Sequence, residues 1–114
     1  VLKTYRRILD RNRGRKLHLW INEFGWADAG HKDAHVVGAK GQASRIGAAY
    51  SMVARVRKAD KIDGLMYFEW NDYPIRAGDP RGDTWGYHTG LLRTDGSAKP
   101  AYYAWVKAVA RLMH

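Results

Sequence analysis

Glu23 is the one charged residue of LWINEFGW, residues 19 to 26, a stretch that is largely apolar and aromatic. A carboxylate at the end of a strand-like run marks a pocket rather than a packed core. A second acid, Glu69, lies in the comparable stretch LMYFEWND at residues 65 to 72, next to Trp70. His31 and His35 bracket Asp33 at a spacing that holds a metal ion when it falls on a helix. Their surroundings, AGHKDAHVVG, are flanked by glycines, lack the glutamate of the HExxH pattern and offer no third ligand, so no metal is expected. The glycines of GAKGQASRIG lack the strand-then-helix context of a phosphate loop, so no nucleotide or other cofactor is expected. With no cysteine in the chain, disulfides, thiolate zinc sites and cysteine nucleophiles are excluded.

The elements that must position these groups follow from periodicity. Leu2, Tyr5 and Leu9 share one face of a short helix over residues 2 to 10, and RNRGRK ends it. KLHLWINEF is apolar on both faces, as in strands of a sheet covered on both sides. Trp26 to Lys40 has no sustained period and is expected to be a long loop. A helix is predicted from Gln42 to Ala59, because Ile46, Ala49, Tyr50, Val53 and Val56 form a stripe. GLMYFEW, residues 64 to 70, is a second buried strand, followed by a Gly, Pro and Asp-rich stretch. Pro100 suits a first helical position, and Ala101, Ala104, Trp105, Ala108, Val109 and Leu112 recur at helical spacing.

Helix, strand, helix, strand, helix implies a parallel strand pair with helical crossovers, an α/β fold. Alternation along the strands sends Leu17, Leu19, Ile21 and Glu23 to one face, taken as the barrel interior. On the second strand it groups Phe68 with Trp70, which is aimed into the same pocket. Tyr67 and Glu69 then face the helices, which argues against Glu69 as a second catalytic carboxyl. Two parallel strands are marginal alone and leave two open edges. A (β/α)8 barrel takes about 250 residues, so residues 1–114 are expected to form one incomplete domain, a partial TIM barrel. Its edges are met by the missing N-terminal part or by self-association.

The 114 residues are 46% hydrophobic and 12% aromatic, ordinary for a globular unit. No apolar run approaches the roughly 18 residues a membrane helix needs, and no membrane partner is expected. The chain begins at Val1 directly on helical pattern, so an N-terminus further upstream is expected. The absence of a leader therefore leaves localisation unknown and compatible with a secreted parent. Lys and Arg number 20 against 11 Asp and Glu, a formal charge of +9. The excess is conspicuous in YRRILDRNRGRK, residues 5 to 16, which is expected to be a solvated helix end and loop rather than a nucleic-acid surface.

Three segments together resemble clan A glycoside hydrolases. LWINEFGW is similar to their seventh strand, where a Glu before an apolar-Gly-aromatic sequence is the nucleophile. LMYFEWND resembles their eighth strand, which ends in an aromatic that floors the sugar site. WGYHTGLLRTDGSAKPAYYAWVKAV, residues 85 to 109, resembles their close, a Gly-Leu, an Asp-Gly turn, Lys-Pro-Ala and a final helix. The resemblance covers nearly the whole chain. It implies a retaining mechanism with two carboxyl groups about 5 to 5.5 Å apart, with Glu23 as nucleophile, Trp70 stacking on a sugar ring and Trp26 in a minor place beside it. Asn22 is expected to be a scaffold hydrogen bonder. The acid/base Glu that the family carries on its fourth strand has no counterpart here, nor have the Arg, His and Tyr of earlier strands. The chain alone is therefore not expected to hydrolyse efficiently. Three classes are weighed: part of a retaining O-glycosidase acting on a poly- or oligosaccharide, a non-catalytic carbohydrate-binding remnant, and a basic fragment for nucleic acid, the last disfavoured.

Overall fold

The computed structural model describes residues 1–32, 34–78 and 85–112, the side chain of Trp85 excepted. Its elements are α1 (Leu2–Arg11), β1 (Leu19–Phe24), α2 (Gly38–Asp60), β2 (Ile62–Tyr67), a single 3-10 turn (Trp85–His88) and α3 (Pro100–Ala110). The expected alternation of helices and strands is present, and β1 pairs with β2 in parallel. α2 begins a turn earlier than its apolar stripe indicates, and β2 ends at Tyr67 rather than reaching Trp70.

α1 is joined to β1 by a turn built around Arg6. Its side chain is only 6% exposed, because the guanidinium donates to the carbonyls of Leu17 and Gly14, both at 2.7 Å, and to Asp10 Oδ1 at 2.9 Å. The expectation of a wholly solvated basic run is corrected at this residue. Its planar donors reach two carbonyls and a carboxylate, which compensates the burial of the charge.

The core lies between the sheet and the helices, where Ile46 and Tyr50 of α2 meet Leu91 and Ala101 and Ala108 of α3. Phe24, Leu65 and Tyr67 pack against this cluster from the sheet. Trp105 Nε1–H donates to the Tyr50 hydroxyl at 2.9 Å, satisfying both polar tips of the aromatic layer. Pro100 starts α3, where its missing N–H is harmless.

The strand faces differ from simple alternation. Ile21 pairs with Leu65 and Phe24 with Tyr67, so Asn22 and Glu23 together stand against Met66. This extra residue is a β-bulge. Leu65, Tyr67 and Phe24 face the helices, and Ile21, in register with Leu65, shares their side. Trp20, 59% exposed, and Met66, 47% exposed, occupy the other side. Trp20 lies over Gly64, where a Cβ would come within 2.2 Å of the indole. The open face is therefore lined by Trp20 and Met66, not by Leu19 and Ile21 as expected. The bulge resets the alternation, so Ile21 and Phe24, three residues apart, share the helix side.

The result is a slab. The molecule measures 49 × 33 × 18 Å with a radius of gyration of 16.0 Å, against about 13 Å for a compact domain of this length. Its accessible surface is 8060 Å², where a folded monomer of this mass exposes about 6,300 Å².

Candidate active site

Glu23 is exposed at the carboxyl end of β1, the end at which parallel α/β sheets place their chemistry. Its neighbour Phe24 anchors the strand end to the helix layer through edge-on contacts with Tyr67, Tyr50 and Trp26 at centroid distances of 5.3, 5.7 and 5.9 Å. Gly25 follows for a steric reason, since a Cβ there would lie 2.3 Å from the Phe68 carbonyl oxygen. That close approach lets the Phe68 N–H donate to the Phe24 carbonyl at 2.9 Å, carrying the pairing one step beyond the strands.

The two tryptophans of interest sit on different elements. Trp26 is half-buried, with the Arg45 guanidinium 5.8 Å from its ring centre. With Ala48, Ala49, Met52 and Arg55 it borders a shallow groove along α2. Trp70 is 53% exposed and makes edge-on contacts with Trp105 at 5.9 Å and Tyr102 at 6.1 Å, both on α3. Because β2 ends at Tyr67, the alternation that grouped Trp70 with Phe68 does not extend to it.

Between these strand ends runs a polar layer that the sequence did not reveal. Gln42, fully buried, directs its amide nitrogen to the carbonyls of Trp26 at 2.9 Å and Thr89 at 3.1 Å. The Tyr67 hydroxyl donates to the same Thr89 carbonyl at 2.8 Å. Burial pushes the Tyr67 phenol above its ordinary value, so it remains a neutral donor. The Thr89 hydroxyl lies 3.3 Å from a Glu69 carboxylate oxygen. Burial raises the Glu69 pKa and the Asp72 charge adds to it, while hydrogen bonds from Tyr73 and Thr89 act in the opposite sense.

Lys99 is the most enclosed charge among the described residues, 1% exposed. Its ammonium contacts Asp28 Oδ1 at 2.8 Å and the Asp72 carboxylate at 2.7 Å, and it donates to the His88 carbonyl at 3.3 Å. Asp72 Oδ1 also accepts the Gly90 N–H at 2.9 Å. Asp28, Asp72 and His88 each offer a ligand atom within 4.8 Å of the others, but the ammonium already supplies the positive charge to both carboxylates. This donor set does not call for a metal ion. His31 and His35 precede α2 and are not on a helix; Asp33 lies outside the described residues. A sequence signal for Lys99 did exist: a lysine immediately before a helix-starting proline has its backbone fixed in an extended state.

A parallel strand pair backed by helices, with a carboxylate at its carboxyl end, belongs to the α/β barrel class. No protein-family model matches the chain, and no curated protein matches it. Among solved structures it is similar to GH5_18 from Streptomyces cattleya, in complex with GlcNAc, at 25% identity and a TM-score of 0.67, over 84% of this chain. It is also similar to a family 39 glycoside hydrolase from the gut symbiont Bacteroides cellulosilyticus WH2, at 24% identity and a TM-score of 0.66, over 95% of this chain. Both are clan A glycoside hydrolases, and the chain reproduces part of their TIM barrel. It spans about a fifth of their length.

Proposed function

We propose that residues 1–114 form one incomplete domain of a retaining O-glycoside hydrolase acting on a poly- or oligosaccharide, with Glu23 as its nucleophile. The observation that carries this reading is the exposed Glu23 at the carboxyl end of β1, beside helix-facing Phe24, in a chain with the fold of glycoside hydrolases. The Glu23 carboxylate attacks the anomeric carbon as the bond to the leaving oxygen breaks, and that oxygen takes a proton from an acid/base group outside these residues. Water, deprotonated by the same group, then cleaves the glycosyl ester and regenerates Glu23. Trp70 offers an exposed ring to sugar C–H groups, and Trp26, three residues after Glu23 but bordering the groove along α2, has at most a minor place beside it. The rest of the barrel covers the open sheet face, and the excess of roughly 1,700 Å² over a compact monomer is about twice the 800 Å² that one partner gives up in a standard interface.

Glu23→Gln in the protein with its barrel complete is expected to lower glycoside hydrolysis by orders of magnitude, and in Glu23→Ala, where truncation leaves room for it, azide is expected to restore turnover and yield a glycosyl azide. Unchanged reducing-sugar release would exclude Glu23 as the nucleophile. A second reading, a carbohydrate-binding remnant, is favoured by the exposed Trp70 and by the lack of an acid/base partner for Glu23 among the described residues. It predicts a sugar-dependent change in tryptophan fluorescence with no turnover.

A further inference from the structure

We propose that Lys99 is a positioning residue, whose buried ammonium takes the place of a bound cation and locks the segment after β1 onto the segment after β2. Three observations carry it. The ammonium is enclosed and bridges Asp28 and Asp72, residues that follow Glu23 by five positions and Trp70 by two. The same cluster ties down the backbone, since the Asp28 N–H donates to the His88 carbonyl at 3.1 Å and the Gly90 N–H to Asp72. Finally, Lys99 itself is fixed at the start of α3, its N–H bonded to the Leu91 carbonyl at 3.0 Å and its neighbour Pro100 rigid. A charge removed from water persists only where partners compensate it, and here the partners belong to two different loops. The helix start therefore serves as the rigid post to which both strand-end segments are moored. The consequence for catalysis rests on the glycosidase reading; the mooring does not.

The test is amide hydrogen exchange on the full chain. Lys99→Met, similar in length and uncharged, is expected to speed exchange at least tenfold at the Asp28, Asp72 and Gly90 amides while leaving the middle of α2 unchanged. In Lys99→Ala, 1-propylammonium is expected to restore protection and 1-propanol is not, because the charge and not the volume is required. Unchanged exchange at those three amides would overturn the proposal, as would a uniform rise across the chain or equal rescue by propanol. Should neither variant fold, Asp28→Asn breaks one arm only: the Asp28 amide is expected to loosen while the Gly90 amide keeps its protection, and simultaneous loss of both would overturn the proposal. On the glycosidase reading, Lys99→Met lowers kcat more than it raises KM. If the protein with its barrel complete cleaves no glycoside, that reading fails, whereas the exchange pattern alone decides the role of Lys99.

Discussion

Glu23 and Glu69 stand at the ends of neighbouring strands, yet their surroundings differ. Glu23 is open to solvent on the bulge, whereas Glu69 is drawn toward Thr89 and Tyr73 and close enough to Asp72 for like-charge repulsion. Burial first, and Asp72 second, raise the Glu69 pKa above its ordinary 4.5. A carboxyl that holds its proton more tightly folded than unfolded contributes stability that is fully present below 4.5 and is lost as pH rises through the raised value. Glu69→Gln is therefore expected to flatten the pH dependence of unfolding in the window above 4.5, making the variant relatively more stable toward neutrality. Urea titrations at several pH values check this, and an undiminished slope in the variant would assign the dependence to another group. At the same scale, Gln42 and Lys99 show why buried polar residues escape a linear reading. Asp28 is 71 residues from Lys99 in sequence, and no local pattern announces that the two meet.

At the scale of elements, periodicity located α2 and α3 because their apolar stripes are what the core demands: Ile46 and Tyr50 on α2, Ala101 and Ala108 on α3; α1 was located too, although its buried residue is Arg6 and Tyr5 of its stripe is exposed. It put Tyr67 on the helix side, where it lies, but sent Ile21 to the open face, because period-two counting carries through a strand only if no residue is inserted. Asn22 and Glu23 both opposing Met66 breaks that count. The end of β2 at Tyr67 breaks it again before Trp70 is reached. Gly25 belongs to the same junction, and its role is steric. Gly25→Ala places a methyl against the Phe68 carbonyl at 2.3 Å, a backbone atom that cannot swing aside. Overpacking of this kind costs about 1–3 kcal/mol, and the expected loss is readable as a lower denaturation midpoint with an unchanged m-value. A midpoint equal to that of the unaltered chain would mean that β1 and the Phe68 segment separate more easily than their close approach implies.

For the molecule as a whole, the decisive quantity is surface. A slab 18 Å thick is one sheet and one helical layer, and parallel sheets are stable when both faces are covered. Among the described residues only the helix side is. Exposed Trp20 and Met66 make the uncovered side apolar, and the surplus area, roughly 1,700 Å², is about twice the 800 Å² that one partner contributes to a standard interface. The slab is thus a part of a barrel in physical terms as well as by similarity, and its open side is the one to perturb. Met66→Lys puts a charge on that side without touching the Ile46–Tyr50–Leu91 core. In the 114-residue chain it is expected to shift sedimentation toward monomer with little change in thermal midpoint, whereas Ile46→Ala, at a fully buried position, is expected to cost about 2–5 kcal/mol. When the rest of the barrel is present the sign reverses, because the lysine is then buried without a partner and the assembly is destabilised. A chain whose stability falls on Met66→Lys by as much as on Ile46→Ala, even when alone, would show that Met66 is already covered and that the sheet has no open face.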